Sequence, residues 1–291
     1  MGFAPDRVRA ARIETRQAYD WRDTILYALG VGVGMGESAT DPEALRHVYE
    51  ERLEALPAMA TTLAYPSLWL ADPVYGLDWR RIVNGAQALA VHRPLPVAAT
   101  IASVLTVEGI VDKGLDDSGA GRGALVHAVR HLHDAASGDH LATVRQVFFC
   151  RGEGGFGGDD LAPIAARPVP GRAPDRLVTI PTRREAALIF RLSGDLNPLH
   201  IDPQVAAAAG FRRPVLHGLA TFGRAAYAVG GGALTRLEAR YSAPVLPGET
   251  LRCAIWDQGD ERAFQVINLD SGRIALDNGW AAWRERLETR G

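Results

Sequence analysis

The chain contains 291 residues, of which 47% are hydrophobic and 23% are charged, and its 32 basic and 34 acidic residues give a net charge of −2. A chain of this length forms about two domains, and the composition excludes disordered, collagen-like and coiled-coil proteins. The near-neutral charge argues against nucleic acid as the main partner, because phosphate binding needs a concentrated basic surface.

Sorting and redox signals favour a cytoplasmic protein. No apolar run approaches the ~20 residues of a membrane span. The start, MGFAPDRVRAAR, lacks the apolar core of a signal peptide, and the end, TRG, matches no sorting signal. The two cysteines, Cys150 and Cys253, are too few for a disulfide framework and fit a reducing compartment. We therefore expect a cytoplasmic protein with no membrane span.

The first half of the chain is predicted to hold an antiparallel series of strands. The segments rich in strand-forming residues, separated by turn residues, are 84–92, 99–112, 123–134 and 140–150. Ser137-Gly138-Asp139 is a hairpin signal between the last two. After them, six Gly and four Pro fall among the 24 residues of 151–174, a composition that breaks both helices and central strands. We therefore divide the chain into an N-terminal domain at 1–160, a linker at 161–176 and a C-terminal domain at 177–291.

The second half is predicted to repeat the plan around a buried helix. Residues 219–229 are apolar nearly all round apart from Arg224, a pattern typical of a helix that is buried on most sides. The predicted strands that follow are 234–243, 249–257, 262–270 and 273–283, with turn residues between them. A buried helix wrapped by an antiparallel sheet is an α+β arrangement, and we expect it twice.

Glycine spacing gives one misleading signal. Gly152, Gly154 and Gly157 satisfy the G-x-G-x-x-G spacing of dinucleotide-binding loops after a predicted strand. That fingerprint also requires a helix to begin at the glycines, and Pro163 follows too soon. A flexible loop is the better interpretation.

A group of histidines gives a second weak signal. His127, His131 and His133 share one face of a predicted strand, and His140 follows on the next strand. Such a group is a candidate metal site, but the flanking hairpin and the intervening Arg130 favour a solvated strand face. We therefore predict no metal ion.

The strongest signal for chemistry is the loop at 190–200, which reads FRLSGDLNPLH. Asn197-Pro198 predicts a turn that folds Asp195 and His200 toward one point. A carboxylate and an imidazole held there can grip one water molecule for general acid–base chemistry. In the alternative interpretation, Asp195 only caps the turn and His200 packs in the core. The residues alone leave both open.

Gly218 stands at the predicted start of the buried helix, directly after His217. A backbone amide at a helix N-terminus has no intrahelical acceptor, and the helix dipole favours negative charge beside it. Glycine also lets a ligand carbonyl approach the backbone closely. The amide is therefore a candidate oxyanion donor, unless the glycine merely eases entry into the helix.

These motifs carry a family resemblance. The loop at 190–200 resembles the signature of MaoC-like, hydratase 2 type (R)-specific enoyl-CoA hydratases, which include the hydratase unit of peroxisomal multifunctional enzyme type 2. Runs that support it over most of the chain are YALGVG (27–32), NGAQ (84–87), VDKG (111–114), RGEGGFGG (151–158) and GFRRPVLHGLATFG (210–223). The resemblance implies a double hot-dog fold with a degenerate central helix in the N-terminal half, which leaves room for an acyl chain. It also implies a homodimer.

The resemblance further implies roles for individual residues. Asp195 and His200 match the catalytic pair, Asn197 matches the residue that shapes the loop, and Gly218 matches the oxyanion-hole glycine. Positions that match contacts with the coenzyme A thioester are Lys113, Asn84, Gly85 and Tyr241, and positions that match supporting residues are Tyr27, Glu50 and Arg191. Lys113 is the single lysine in a chain with 31 arginines.

Two departures from the family pattern concern the surroundings of the loop. Phe190 stands where the signature usually has Tyr, and Asn84-Gly85-Ala86-Gln87 replaces the usual His-Gly-Glu-Gln. These changes bear on substrate range more than on reaction type. The predicted activity is reversible syn addition of water to a trans-2-enoyl-CoA, a hydro-lyase reaction that needs no metal or redox cofactor. The alternatives are a hot-dog acyl-CoA thioesterase and a non-catalytic acyl-CoA binding subunit.

Overall fold

The computed structural model describes residues 2–35, 39–157, 161 and 167–283. Its strands are β1 (Arg12–Tyr19), β2 (Ile82–Val91), β3 (Ala99–Asp112), β4 (Ala124–Asp134), β5 (His140–Cys150), β6 (Arg176–Pro181), β7 (Leu234–Tyr241), β8 (Thr250–Gln258), β9 (Glu261–Asn268) and β10 (Ile274–Trp283). Its α-helices are α1 (Pro5–Arg9), α2 (Trp21–Gly30), α3 (Pro42–Leu45), α4 (Ala186–Phe190), α5 (Pro203–Ala208) and α6 (Gly218–Gly230). Of these described helices, none is long and apolar enough to cross a membrane.

All the strands form one antiparallel sheet in the order β1-β3-β4-β5-β2-β7-β10-β9-β8-β6. The last five strands repeat the order of the first five when they are read from the opposite edge, so that β6-β8-β9-β10-β7 corresponds to β1-β3-β4-β5-β2. The two sets meet where β2 pairs with β7, from Ala86 opposite Arg240 to Ala90 opposite Arg236. The α+β double hot-dog arrangement predicted from the sequence is confirmed, and its two curled sheets are continuous across this pair.

The predicted strands are found with bounds that agree to within about two residues, and β3 and β5 agree with the prediction at both ends. Two strands were missed, β1 and β6. Both lie at the edges of the sheet, and each exposes alternate residues to solvent, so neither carries the apolar run by which the other strands are identified.

The C-terminal half encloses α6. Nine of its residues are buried, and the helix packs against β7 and β10 on the concave side of the sheet. The buried guanidinium of Arg224 donates to the carbonyls of Gly30 at 3.0 Å and Pro181 at 3.3 Å. Burial lowers the pKa of Arg224 to about 10, so the side chain keeps its charge at neutral pH. Arg224 therefore ties α6 to the end of α2.

The N-terminal half has no counterpart of α6 among the residues described. Short 3-10 turns occupy that region instead, at Glu50–Arg52, Pro57–Thr61, Trp69–Ala71, Pro73–Tyr75 and Trp79–Arg81. Such turns leave backbone carbonyls without helical partners. Arg130, which is buried on β4, donates to the carbonyls of Ala60, Thr61 and Leu63. The predicted degenerate central helix is confirmed. The buried Arg130 donates hydrogen bonds to backbone carbonyls of the turns that replace it.

The predicted domain boundary between residues 160 and 161 adjoins the segments 158–160 and 162–166, which lie outside the described residues. The division into 1–160, 161–176 and 177–291 therefore stays a prediction. β6 begins at Arg176, next to the predicted start of the C-terminal domain. No helix begins among Gly152–Gly157, in agreement with the loop interpretation of that glycine spacing.

Candidate active site

A cavity of about 420 Å³ lies between the two halves of the molecule. The predicted catalytic loop supplies Asp195, Asn197 and His200 to its wall, and Gly218 and Tyr241 come from α6 and β7. The N-terminal half contributes aromatic and aliphatic side chains and a few polar ones, namely Tyr65, Ser67, Leu68, Trp69, Leu70, Trp79, Asn84 and Phe148. The volume and the mixed lining are typical of a small-molecule site.

The backbone turns sharply just before Asp195. Gly194 has φ of +117°, and a Cβ at that position would lie 3.0 Å from the carbonyl oxygen of Thr62. Glycine is required here because an L side chain rarely adopts that φ and would press on the neighbouring loop. The turn directs Asp195 inward, where only 7% of the residue is exposed.

The carboxylate of Asp195 is held by donors from both halves. Ser67 donates its hydroxyl to Oδ1 at 3.1 Å, and the amide of Asn197 donates to the same oxygen at 3.3 Å. The second carboxylate oxygen, Oδ2, receives no hydrogen bond from the described residues. That oxygen can accept a hydrogen bond from a ligand.

Asn197 begins the 3-10 turn Pro198–His200 and accepts a hydrogen bond from the amide of Leu199 at 3.0 Å. This is the N-cap role for which Asn is well suited. Because the turn is short, it places the His200 side chain near that of Asp195. One carboxylate oxygen of Asp195 and one ring nitrogen each of His200 and His217 lie within 4.8 Å of one another.

The tautomer of His200 follows from its hydrogen bond to the backbone. Nδ1 lies 2.9 Å from the carbonyl oxygen of Val215, which can only accept, so Nδ1 carries the proton. Nε2 is then an unprotonated acceptor. Burial lowers the pKa of His200, while the charge of Asp195 opposes that shift. The ring is therefore neutral at neutral pH and ready to accept a proton.

His217 belongs to the site, although the sequence analysis did not include it. Its Nε2 donates to the carbonyl of Asp195 at 3.1 Å, and its ring stacks on His200 with centroids 3.7 Å apart. The pKa of His217 lies well below its usual range. Burial is the larger cause, and the neighbouring His200 is the second. The only signal in the sequence was its place directly before Gly218, where it was considered for its neighbour rather than for itself.

Gly218 is the first residue of α6, and its amide has no acceptor in the part of the chain that the structure describes. A Cβ at this position would lie 3.0 Å from the ring of Tyr241. The Tyr241 hydroxyl is buried and likewise has no hydrogen-bond partner among the described residues. Burial raises the pKa of Tyr241 well above its usual value, so the hydroxyl keeps its proton. Two donors without acceptors therefore lie on the same side of the cavity.

The other predicted site residues are only partly brought together. Asn84 lines the cavity, and Gly85 follows it on β2. Tyr27 is fully buried and Arg191 begins a 3-10 turn, and neither lines the cavity. The two predicted residues that are exposed and lie outside the cavity lining are Glu50 and Lys113. Their roles stay predictions.

Phe190, which departs from the family signature, packs as a wall beneath the site. It is fully buried, and its ring centroid lies 5.9 Å from that of Tyr27 and 5.1 Å from that of His217. The aromatic ring therefore packs against both Tyr27 and His217.

Comparisons with known proteins agree with this architecture. The domain family described as "MaoC like domain" matches residues 165–278, and "MFE-2 hydratase 2 N-terminal domain" matches residues 17–152. The chain is 38% identical to 3-hydroxyacyl-thioester dehydratase Y of Mycobacterium tuberculosis, over 96% of this chain and 98% of that protein. It is 34% identical to the peroxisomal enoyl-CoA hydratase 2 of Arabidopsis thaliana, over 94% of each.

A solved structure gives the same picture. The crystal structure of a MaoC-like dehydratase from Phytophthora capsici aligns with a TM-score of 0.82 at 26% identity, and the alignment covers 99% of this chain and all of that one. The likeness therefore extends over both halves of the molecule and the cavity between them.

Proposed function

The chain belongs to the family of MaoC-like dehydratases and hydratase 2 enzymes, and from that membership together with its site we infer that it is a hydro-lyase acting on enoyl thioesters. It catalyses the reversible addition of water across the double bond of a 2-enoyl-CoA, which gives a 3-hydroxyacyl-CoA. The observation that carries this inference is the pairing of the Asp195 carboxylate and the neutral His200 imidazole beside the Gly218 amide.

The first step uses two acceptors facing one water molecule. Nε2 of His200 and Oδ2 of Asp195 can each accept a hydrogen from the water, which leaves an oxygen lone pair directed at C3 of the thioester. As the C3–O bond forms, the pair removes one proton from the water. The electrons of the double bond move to C2 and onto the thioester oxygen.

The second step returns a proton to C2. The acid formed in the first step gives its proton to C2 on the face from which the water attacked, so the addition is syn. The Gly218 amide stabilises the enolate-like oxygen between the two steps, a contact worth about 3–4 kcal/mol by comparison with oxyanion donors elsewhere. The ring of Tyr241 packs against Gly218, and both residues line the cavity.

Because acid, base and oxyanion donor are fixed around one cavity, water can reach only one face of C3. We therefore propose a single enantiomer as the product, the (3R)-3-hydroxyacyl-CoA. The test is hydration of crotonyl-CoA and of a medium-chain enoyl-CoA, followed by coupling to (R)- or (S)-specific dehydrogenases. Predominant (S) product would contradict the proposal, and a racemate would mean that the water is not held as described.

The same assay separates the alternative activities. A thioesterase would release free coenzyme A, which a thiol reagent detects, whereas a hydratase removes enoyl absorbance and releases no thiol. A non-catalytic subunit would bind the thioester and change neither signal. We expect loss of enoyl absorbance without thiol release.

Cofactor use, assembly and location are further parts of the proposal. The thioester itself acidifies C2, so no metal or redox cofactor is needed, and exhaustive dialysis against a chelator should leave turnover unchanged.

We propose a homodimer in the cytoplasm. Light scattering that gave the 31.3 kDa mass of a single chain at micromolar concentration would contradict the dimer. Cell fractionation tests the location, since the Arabidopsis relative is named peroxisomal.

A further inference from the structure

Two basic side chains lie at the open end of the cavity. Arg151 and Arg273 are the arginines of its described lining, which holds no lysine, and the one carboxylate in that lining is that of the buried Asp195. A lining residue that is also exposed marks the place where the cavity meets solvent. The exposed lining residues are Arg151, Gly210, Ser242, Pro244 and Arg273. The catalytic carboxylate therefore lies inside the cavity, and the opening is positively charged.

The strands place these two arginines at the same end of the sheet. Arg151 directly follows β5, and its amide donates to the carbonyl of Arg81, just before β2, at 3.1 Å. Arg273 directly precedes β10, where the carbonyl of Ala275 accepts from the amide of Ser242, just after β7, at 3.0 Å. The strands β5, β2, β7 and β10 are neighbours in that order. Three strand spacings separate the two arginine backbones by about 15 Å, so both long side chains can reach one extended ligand.

Both guanidiniums are available to a ligand. Neither is paired with a carboxylate in the part of the chain that the structure describes, whereas Arg145 on β5 pairs with Glu108 at 3.2 Å. The acid nearest to Arg273 in the sequence, Asp270, instead accepts a hydrogen bond from the amide of Thr250 at 2.7 Å. An anion that enters the opening therefore meets two positive charges that no described carboxylate neutralises.

The distribution of charge along the cavity matches that of a coenzyme A thioester. The acyl and thioester end of such a molecule is uncharged, and the far end of its pantetheine arm carries a diphosphate and a 3′-phosphate. A guanidinium presents a planar fork of donors that binds phosphate through two parallel hydrogen bonds. With the thioester oxygen at Gly218, the phosphates extend toward the solvent end of the cavity, where Arg151 and Arg273 lie.

We propose that Arg151 and Arg273 bind the phosphate groups of coenzyme A, one from each half of the molecule, and so make the enzyme selective for coenzyme A thioesters. This inference rests on the proposed function and adds the residues that recognise the carrier. Lys113, which the family resemblance assigned to coenzyme A, directly follows β3 at the same end of the sheet but does not line the cavity.

The position of the arginines defines the kinetic effect of losing them. A phosphate contact remote from the reacting carbons is equally strong in the ground state and in the transition state, so it lowers KM and leaves kcat unchanged. A hydrogen-bonded charge pair of this kind corresponds to about tenfold or more in affinity. The contact is also screened by salt, because it forms at the solvent end of the cavity.

The experiment compares crotonyl-CoA with crotonyl-pantetheine, which has the same reacting group and no phosphate. In Arg151→Gln and Arg273→Gln we expect the KM for crotonyl-CoA to rise by about tenfold, with kcat unchanged. The kinetics of crotonyl-pantetheine should be the same in both variants as in the wild type. Added salt should raise the wild-type KM for crotonyl-CoA and not that for crotonyl-pantetheine.

Two matched controls remove the same charge outside the cavity lining. Arg145→Gln changes an exposed residue on β5, and Arg240→Gln changes an exposed residue on β7. Both should keep the wild-type KM for crotonyl-CoA. An equal rise of KM in these controls would reduce the effect to net charge and overturn the proposal.

Calorimetric binding of free coenzyme A gives a readout that does not depend on turnover. We expect weaker binding in Arg151→Gln and in Arg273→Gln, by about the same factor as the rise in KM. Unchanged binding in both variants would overturn the proposal, as would an equal loss with crotonyl-pantetheine or a larger loss with crotonyl-acyl carrier protein. If the wild type hydrates neither crotonyl thioester, the proposed function fails, and the binding measurement still decides the role of the arginines.

Discussion

The two halves of the molecule share one strand order and differ in what the sheet encloses. In the C-terminal half a 13-residue helix, α6, fills the concave side of the sheet and presents the Gly218 amide at its start. In the N-terminal half the same position holds short 3-10 turns, whose carbonyls are satisfied by Arg130. The regular half therefore supplies the fixed oxyanion donor, while the irregular half supplies the space and the wall of the cavity.

The difference shows that two halves with the same strand order can have different roles. A helix that is buried on all sides leaves no room for a ligand, because protein interiors are close-packed. Where turns replace the helix, side chains such as Trp69 and Phe148 line a cavity instead of filling it. At the site a polar contact joins the halves, since Ser67 from the irregular half donates to Asp195 of the other. Variants of each half should therefore fail in different ways.

The largest expected effect is on chemistry in the C-terminal half. Asp195→Asn and His200→Gln should each lower kcat by ~10²-fold or more while the melting temperature changes little, because each removes an acid–base group. The double variant should be little worse than either single one, since both act on one water molecule. Asp202→Asn is the control, because Asp202 caps α5 and does not line the cavity. Near-normal turnover in either single variant would refute the pair.

The largest expected effect on stability lies in the N-terminal half. Arg130→Met removes the donor to three buried carbonyls and should lower the free energy of unfolding by about 3 kcal/mol. Denaturant unfolding measures it. Arg145→Met is the control, because Arg145 lies on the neighbouring strand with an exposed side chain paired to Glu108. Equal losses in the two variants would mean that the 3-10 turns do not depend on Arg130.

The contact between the halves can be tested at the crossing of α2 and α6. A Cβ on Gly223 would lie 2.6 Å from the hydroxyl of Tyr27 and 2.7 Å from Val31. Gly223→Ala should therefore destabilise the protein by about 1–3 kcal/mol through overpacking. Gly171→Ala, at a glycine with open space around it, is the matched control for thermal unfolding. A neutral Gly223→Ala would show that the helices can separate without cost.

A smaller effect is expected for the Ser67 hydroxyl, which joins the halves at the site. Ser67→Ala removes one of the two hydrogen bonds to Oδ1 of Asp195 and should lower kcat by up to about tenfold, the equivalent of one hydrogen bond to a charged group. KM should change little. Ser242→Ala is the control, because Ser242 lines the cavity without contacting Asp195. An unchanged kcat would leave Ser67 with a packing role only.

The smallest effect concerns pH and stability. The pKa of His200 and that of His217 are lowered by burial in the folded protein, so the unfolded chain binds more protons as the pH falls through the usual value of 6.5. Stability should therefore be full above that value and decline below it, by an amount of order 1 kcal/mol. Denaturant midpoints at pH 7.5 and 5.5 measure the decline. His200→Gln should reduce the decline, and an unchanged difference between the two pH values would show that His200 does not contribute to it.

Sequence alone determined the elements whose signals are local. Local sequence patterns predicted strands β3 and β5, the helix α6 and the turn at Asn197-Pro198. The patterns are runs of strand-forming residues, turn residues and a nearly all-apolar helical segment, and each lies within consecutive residues. The catalytic loop was found for the same reason, since Asp195 and His200 are five positions apart in one turn. The NGAQ and VDKG runs gave only a family resemblance and no geometry.

Tertiary structure decided everything that depends on residues distant in the chain. The pairing of β2 with β7, the donation from Ser67 to Asp195 and the stacking of His217 on His200 join residues between 17 and 154 positions apart, and no local pattern encodes them. His92 comes to lie against His140 in the same way, through the register of neighbouring strands. The alternation of apolar and polar residues predicts which face of the sheet a side chain occupies. Only the packed sheet determines which residues that side chain contacts.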